Sequence, residues 1–283
     1  MSPRTLAESL QRAQTLGLAR MDAQVLHLHA LGRETHDRAW LLAHDRDELP
    51  SDLVARLDKL FQRRLAGEPV AYITGFKEFF GLRLQVDARV LDPRPDTETL
   101  VEWALELLPM GTPARVLDLG TGSGAVALAL QHERPTSQVT AVDASADALA
   151  VAQANALRLN LPVQFVQSHW MEAIAGPFEL LVSNPPYVAD ADPHLTALTH
   201  EPLQALTSGP DGLDDLRQII AQAPSRLVPG GWLLLEHGWD QADAVRNLLR
   251  SAGFEKVQSR QDLAGIARCS GGQSVYSKAA SHA

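Results

Sequence analysis

Residues 115–130 read RVLDLGTGSGAVALAL and contain three local patterns in succession. The segment Arg115–Leu119 predicts a strand, and the apolar, Ala-rich run Ala125–Leu130 predicts a helix. Glycines in the turn between them permit positive φ and let a ligand approach the backbone closely. That turn consists of Gly120, Thr121, Gly122, Ser123 and Gly124. Nucleotide, flavin and phosphate sites all use such a turn, so the pattern predicts a ligand site in an α/β fold.

The residues around this turn exclude two common motifs and supply an acidic ligand-binding candidate. No Gly-Lys-Ser/Thr follows, which excludes a P-loop, and Ala127 replaces the last glycine of G-x-G-x-x-G. A second strand, Gln138–Val142, ends in Asp143, where a carboxylate can accept hydrogen bonds from both hydroxyls of a ribose. The alternative for Asp143 is to cap the helix that begins near Asp147, a position for which Ser145 competes.

A second motif follows the apolar run Phe178–Val182, which predicts another buried strand. It reads Ser183-Asn184-Pro185-Pro186-Tyr187, and the strand must end there because proline has no N–H to donate. Ligands bind at the carboxyl ends of strands in open parallel sheets. Asn184 Oδ1 and a prolyl carbonyl can accept the two hydrogens of a planar –NH2 group, while Tyr187 lies against its flat face. The alternative is an ordinary Asn-Pro turn.

Between these motifs, Val163–Gln167 predicts a third strand, closed by Ser168-His169-Trp170. Trp170 is expected either to flank an adenine ring or simply to pack. Downstream, Val228–Gly231 predicts a turn into a fifth strand, Trp232–Glu236. Gln241–Ala252 predicts a helix, and the tail from Lys256 is expected to supply the last strands.

The first 75 residues have helical periodicity and almost no strand pattern. Ser51 is expected to cap a helix that Gly67 and Pro69 end, with one apolar face formed by Leu53, Leu57, Leu60, Phe61 and Leu65. We therefore predict a helical domain over 1–75, an extended or β-hairpin linker over 76–93, partly alternating from Leu82 to Val90, and an α/β domain over 94–283. The helical domain is expected to recognise the substrate, because both ligand-site motifs lie within 94–283.

The composition narrows the range of partners. The 283 residues carry a net charge of −9, so phosphate backbones should repel the chain, and we expect no direct nucleic-acid partner. One cysteine, Cys269, excludes an internal disulfide and a thiolate metal cluster. We expect no metal site, because no ligand set is evident. The chain has no apolar run of membrane-span length and no apolar signal core after Met1, so a cytoplasmic location without a membrane partner is expected.

Several segments are similar, in order, to those of one enzyme family. They read GEPVAYITG at 67–75, EFFGL at 78–82 and VLDPRPDTE at 90–98, and they continue through Val116–Gly124, Asp143, Trp170, Ser183–Tyr187, Glu201-Pro202 and Asp211-Gly212-Leu213. On these residues the chain resembles the class I S-adenosylmethionine-dependent methyltransferases with an N/D-P-P-Y motif. More narrowly, it resembles the bacterial release factor glutamine methyltransferases. Asp92 and His169 depart from the pattern, which leads us to expect an apolar residue and an acid or Asn there.

The resemblance implies a Rossmann-like α/β fold, with a mostly parallel seven-stranded sheet, helices on both faces and a small all-α N-terminal domain. It implies S-adenosyl-L-methionine as cofactor, bound by Gly120, Thr121, Gly122, Ser123, Gly124, Asp143, Trp170 and Asn184. It also implies a peptide chain release factor as protein substrate, methylated on the glutamine of its Gly-Gly-Gln loop. The substrate amide would be bound by Asn184, Pro185, Pro186 and Tyr187, of which Asn184, Pro185 and Tyr187 form the catalytic set.

Two other function classes stay open at this point. One is an adenine N6-methyltransferase of DNA or RNA, which uses a similar motif on a similar amine but conflicts with the acidic charge. The other is a non-catalytic module that keeps the fold, against which the intact glycine turn and Asn-Pro-Pro-Tyr argue. The chain also contains its own Gly271-Gly272-Gln273, which we interpret as a chance match to the expected substrate motif.

Overall fold

The computed structural model describes residues 5–275, which divide into two compact units. One unit comprises the chain up to Phe76 together with Thr196–His200, and the other comprises Lys77–Leu195 and the residues from Glu201 onward. Each unit packs around its own cluster of buried apolar side chains.

The first unit is helical in its described part, as the periodicity predicts. Its helices are α1 Leu6–Thr15, α2 Arg20–Ala30, α3 Arg38–Ala43, α4 Ser51–Leu65 and α5 Val70–Thr74. Thr5 begins α1 with a reciprocal cap, in which its hydroxyl accepts from the Glu8 N–H and the Glu8 carboxylate accepts from the Thr5 N–H. In α2, His27 is fully buried between the Ala23 carbonyl and the Ser9 hydroxyl, so it is a hydrogen-bonded core residue.

The α4 helix ends before Gly67 as expected, but it differs from the expectation in its N-terminal cap and in the exposure of its last apolar residue. Pro50 occupies the capping position with an extended backbone, and Ser51 is already the first helical residue, so its prediction as the cap is wrong. Leu53, Leu57 and Phe61 are buried in the core, but Leu65 is 48% exposed in the last turn.

A β-hairpin follows, formed by β1 Phe76–Phe79 and β2 Leu82–Gln85. Its turn residues Phe80 and Gly81 both have positive φ, and the Glu98 carboxylate accepts a hydrogen bond of 2.9 Å from the Phe80 N–H. The predicted extended segment Leu82–Val90 is therefore a strand only as far as Gln85.

The second unit is built on a seven-stranded sheet in the order β5-β4-β3-β6-β7-β9-β8. Within this sheet, β9 runs in the direction opposite to the other six described strands. The strands are β3 Arg115–Leu119, β4 Gln138–Asp143, β5 Gln164–Gln167, β6 Phe178–Ser183, β7 Leu227–Glu236, β8 Glu255–Gln261 and β9 Ala267–Gln273. The α-helices of this unit are α6 Glu98–Leu107, α7 Ala125–Glu133, α8 Ala146–Leu159, α9 Asp214–Gln222 and α10 Ala242–Ser251. This architecture confirms the predicted α/β fold class.

The predicted turn at Val228–Gly231 is instead a bulge inside β7. Leu227 pairs with Phe178 and Trp232 pairs with Leu180, so four residues of β7 face one residue of β6. The intervening Gly230 has a φ of 80°, which lets the strand loop out and rejoin the ladder.

The Gly271-Gly272-Gln273 segment lies inside β9, where packing accounts for both glycines. A Cβ on Gly271 would lie 2.6 Å from the Leu233 carbonyl oxygen, and one on Gly272 would lie 2.8 Å from Phe254 Cβ. The motif is therefore part of the sheet rather than a loop that could enter an active site. None of the described helices is long and apolar enough to cross a membrane.

Candidate active site

The two sequence motifs meet at one edge of the sheet because three parallel strands end together. Leu119 of β3 pairs with Val142 of β4 on one side and with Ser183 of β6 on the other. The Ser183 hydroxyl donates to the Leu119 carbonyl oxygen at 2.7 Å, which joins the two strand ends directly.

A cavity of about 480 Å³ opens at this edge. Of the predicted site residues it is lined by Gly120, Thr121, Gly122, Ser123, Asp143, Trp170, Asn184 and Pro186. Gly124, Pro185 and Tyr187 lie next to these residues in the chain but outside the lining. Cofactor and substrate candidates thus share one cavity of a size typical of small-ligand sites.

The glycines of this turn are needed for a positive φ and for room that a side chain would fill. Gly120, Gly122 and Gly124 have φ values of 71°, 54° and 85°. A Cβ on Gly124 would lie 3.0 Å from Leu128 Cδ1, whereas one on Gly122 would meet nothing within 4 Å. The turn therefore packs against the fold at Gly124 and leaves free space at Gly122, beside the cavity.

Asp118 holds this turn through hydrogen bonds, a role that was not predicted from the sequence. It is 1% exposed, and its Oδ2 accepts from the Thr121 hydroxyl at 2.6 Å and the Ala127 N–H at 3.2 Å. Burial raises the pKa of Asp118 to about 7. The sequence feature that could have identified Asp118 is an acidic residue between the apolar residues Leu117 and Leu119.

Asp143 connects the end of β4 to the glycine turn. Its Oδ2 accepts from the Gly122 N–H and its Oδ1 from the Ser145 N–H, both at 2.9 Å. Burial raises the pKa of Asp143, and these N–H donors oppose the shift. Ser145 caps α8 by accepting from the Ala148 N–H, so the alternative role of Asp143 as the cap is excluded. The carboxylate keeps unused lone pairs that border the cavity.

Trp170 and His169 differ although they are adjacent. Trp170 is 8% exposed with a φ of 47°, and a Cβ on Gly120 would lie 3.3 Å from its ring. Its indole Nε1 is buried without a hydrogen-bond partner among the described residues. His169 is exposed, and its Nδ1 lies 3.3 Å from Glu172 Oε1. Trp170 therefore both packs in the core and forms a wall of the cavity.

Contacts with distant parts of the chain hold the Asn-Pro-Pro-Tyr segment. Asn184 Nδ2 donates to the Thr97 hydroxyl at 3.2 Å, and the Tyr187 hydroxyl donates to Glu236 Oε1 at 3.3 Å. Burial raises the pKa of Tyr187 well above its usual value and raises that of Glu236 to about 7. Neither Thr97 nor Glu236 is among the site residues predicted from the sequence. The position of Glu236 at the end of β7, like that of Asp143 at the end of β4, was the available signal.

An ion cluster joins two segments that border the cavity, and it accounts for the departure at Asp92. Asp92 is 6% exposed, and its Oδ1 lies 3.2 Å from Lys77 Nζ. Arg94 pairs with the buried Glu201 at 2.5 Å, and Glu201 also accepts from the Asp92 N–H. A buried acid is tolerated at this position because two cations lie beside it.

The cavity fits S-adenosylmethionine by its chemistry. The free space at Gly122 admits a ligand against the backbone, Asp143 offers carboxylate oxygens, and Trp170 offers an aromatic wall. In the part of the chain that the structure describes, no three His, Cys, Asp or Glu side chains are grouped to hold a metal ion.

Comparison with known proteins defines the class. The family model described as methyltransferase small domain matches residues 97–213, and that described as PrmC N-terminal domain matches residues 4–75. A Pyrococcus furiosus methyltransferase structure shares the fold, with a TM-score of 0.56 and 20% identity over 76% of this chain and 98% of that one. Fold and family models together define a class I methyltransferase that uses S-adenosylmethionine.

Relatives identify the family within this class. A Bordetella pertussis release factor glutamine methyltransferase is 52% identical over 260 residues, covering 90% of this chain and 95% of that protein. An Escherichia coli K12 protein of the same name is 45% identical over 261 residues, covering 91% and 93%. The chain belongs to the release factor glutamine methyltransferase family.

Proposed function

We propose that this protein transfers a methyl group from S-adenosylmethionine to the side-chain amide nitrogen, N5, of a glutamine. The substrate is the Gly-Gly-Gln glutamine of peptide chain release factors, and the reaction takes place in the cytoplasm, where these factors act on ribosomes. The observation that supports this reaction is the shared cavity, in which Asn184 and Pro186 face the same space as the glycine turn and Asp143.

The cofactor half of the cavity would be formed by the glycine turn, Asp143 and Trp170. Asp143 would accept hydrogen bonds from the ribose hydroxyls, and Trp170 would lie beside the adenine ring. The bound cofactor supplies an electrophilic methyl group on a positively charged sulfur.

The amide half must position a weak nucleophile, because the lone pair of an amide nitrogen is delocalised into its carbonyl. Asn184 Oδ1 and the Pro185 carbonyl oxygen would accept the two amide hydrogens and so orient the nitrogen. The same acceptors would stabilise the positive charge that develops on nitrogen during transfer. Tyr187 would hold the amide from its flat face. A general base is not needed before transfer, because the methylated nitrogen becomes acidic and then releases its proton.

The Tyr187 hydroxyl is an unsuitable base for another reason. Its pKa is raised by burial and by the neighbouring Glu236 carboxylate, so the phenol stays protonated at neutral pH. Its hydrogen bond to Glu236 instead fixes the ring, which is the property that packing against a planar amide requires. A narrow pocket of this kind favours glycines next to the target glutamine, because larger side chains would block entry.

Labelling with S-adenosylmethionine tests the reaction directly. The full chain is incubated with a labelled methyl donor and a mixture of intact release factor, ribosomal proteins and DNA. We expect label only on the Gly-Gly-Gln glutamine, located by mass spectrometry, and none on a release factor in which that glutamine is glutamate. Label on DNA adenine or on a ribosomal protein would overturn the proposal.

We further propose that the helical unit recognises the protein substrate, because the cavity of the second unit accounts for both cofactor and amide. A chain beginning at Lys77 should bind cofactor almost normally and should methylate a short Gly-Gly-Gln peptide as the full chain does. Methylation of an intact release factor should fall steeply. Equal loss with peptide and factor, together with lost cofactor binding, would make residues 1–76 part of the catalytic fold instead.

A further inference from the structure

The Asn184 side chain is contacted by a residue far away in the chain. Thr97 ends a short 3-10 turn, Pro95–Thr97, and is 3% exposed. Its hydroxyl oxygen accepts from Asn184 Nδ2 at 3.2 Å across 87 positions of sequence. Asn184 lines the cavity. Because this contact holds Nδ2 at Thr97, Oδ1 is the amide atom that is turned away from Thr97.

The other partner of the Thr97 hydroxyl determines the direction of the hydrogen bonds. Glu236 ends β7 beside the end of β6, where Leu235 pairs with Ser183. Its carboxyl group is 1% exposed, and its Oε1 accepts from the Tyr187 hydroxyl at 3.3 Å. Thr97 lies close enough to this carboxyl group to lower its pKa. Asn184 Nδ2 can only donate, so a Thr97 lone pair faces Asn184 and the Thr97 proton stays available for another acceptor. In its ionised form the neighbouring Glu236 carboxyl group can only accept, which directs the Thr97 proton toward it.

This direction has a consequence for the substrate amide. With Nδ2 held by Thr97, Asn184 keeps Oδ1 as the acceptor for the cavity. If the Asn184 amide were rotated by half a turn, its –NH2 would face the –NH2 of the substrate, donor against donor. The free amide of asparagine has no intrinsic preference between these two orientations, so neighbouring groups must choose one.

We propose that Thr97 and Glu236 are positioning residues that lock the Asn184 amide with Oδ1 toward the substrate. The Glu236 carboxylate orients the Thr97 hydroxyl, and the Thr97 hydroxyl orients Asn184. Through its second contact, Glu236 also fixes the Tyr187 ring, so one buried carboxylate supports both side chains of the motif. This inference rests on the proposed amide methylation.

Two substitutions at Thr97 separate positioning from packing. Thr97→Val keeps the shape and removes the hydroxyl, whereas Thr97→Ser keeps the hydroxyl and removes a methyl group. In full-length protein acting on intact release factor, we expect Thr97→Val to lose about tenfold in kcat, with KM and calorimetric cofactor affinity within about twofold. Thr97→Ser should retain kcat within about threefold. A fully active Thr97→Val, or a Thr97→Ser no better than Thr97→Val, would overturn the inference.

A double-mutant cycle tests the route through Asn184. In an Asn184→Ala background, Thr97→Val should cost less than about twofold more, because the amide it orients is absent. An additional tenfold loss in that background would show a role independent of Asn184. Glu236→Gln should lose several-fold in kcat, and less when Thr97 is already Val. Wild-type protein that leaves the glutamine unmethylated would instead refute the proposed function itself.

Discussion

The turn after β3 and the turn after β6 leave adjacent strands of one sheet, yet they present different parts of the chain. The glycine turn presents backbone, with positive φ at Gly120, Gly122 and Gly124. The Asn-Pro-Pro-Tyr turn has a backbone restricted by proline, and it presents the side chains of Asn184 and Tyr187.

The two turns also differ in how far along the chain the residues that hold them lie. The glycine turn is held by Asp118, within the same strand and turn, and by Asp143 at the end of the next strand. Asn184 and Tyr187 are held by residues 87 and 49 positions away in the chain. A backbone site can therefore be built locally, whereas a side-chain site needs the assembled sheet.

The two turns nevertheless share one feature, a buried carboxyl group behind each. Asp118 lies behind the glycine turn and Glu236 behind the Asn-Pro-Pro-Tyr turn, each 1% exposed and each with its pKa raised to about 7 by burial. Both accept hydrogen bonds from hydroxyl groups of the turn regions, which restrains the turn at the cost of desolvating a carboxylate.

The largest effect is expected at Asn184. Asn184→Ala should lower kcat/KM at least about a hundredfold, because one transition-state hydrogen bond is lost in a desolvated pocket. Asn184→Asp keeps an acceptor oxygen and should retain more activity than alanine. Cofactor affinity should change less than turnover in both. Asn247→Ala, on the surface of α10, serves as control, and a near-normal rate for Asn184→Ala would make Asn184 an ordinary turn residue.

Asp143 tests the cofactor half of the comparison. Asp143→Ala should weaken S-adenosylmethionine binding by about 1.5–3 kcal/mol, the range for hydrogen bonds to a charged group. The same change should leave release-factor binding unaltered. Glu179→Ala removes another half-buried carboxylate of the sheet, paired with Arg115 near the start of β6, and should leave cofactor affinity unchanged. Unchanged calorimetric affinity in a folded Asp143→Ala would restrict Asp143 to holding Gly122 and Ser145.

The two buried carboxyl groups, Asp118 and Glu236, predict that the free energy of unfolding depends on pH. Both have folded-state pKa values near 7, above those of the unfolded chain, so the folded state binds their protons more tightly. Their contribution to stability is complete below the unfolded pKa and is lost as the pH rises through 7. Glu236→Gln should remove on the order of 2 kcal/mol of the decline in unfolding free energy between pH 5 and 8. An unchanged slope in denaturant titrations would contradict this.

The smallest effects separate two roles of a glycine: it adopts a backbone conformation that other residues rarely adopt, and it leaves space for a ligand. Gly122 and Gly265 both have positive φ, and a Cβ on either would meet nothing within 4 Å. Alanine at either site should cost about 1 kcal/mol of stability from the left-handed backbone. Only Gly122→Ala should also weaken cofactor binding, by roughly fivefold, because its methyl group enters the cavity. Equal cofactor affinities in the two variants would mean that the ligand does not approach Gly122.

Local sequence was enough to predict the elements whose conformation depends only on their own residues. The apolar run of β6 and the shorter apolar stretches of β3 and β4 predict strands, because strands buried on both faces of a parallel sheet are mainly hydrophobic. Glycines and prolines end these strands at defined positions, since their backbone limits act without partners. Asp143 ends β4 and Asn184 directly follows β6, so the sequence predicts both at the carboxyl edge of the sheet, where they line the cavity, and Tyr187 follows three residues later.

Tertiary structure alone decided which groups those residues contact. Nothing local relates Thr97 to Asn184 or Glu236 to Tyr187, because each pair forms only when separate strands and turns reach the same edge. Asp92 could not be understood without Lys77 and Arg94, whose charges compensate its burial. Sequence determines which residues stand at strand ends through backbone chemistry that acts within a few residues. The pairing of side chains depends on register and packing, which exist only in the folded sheet.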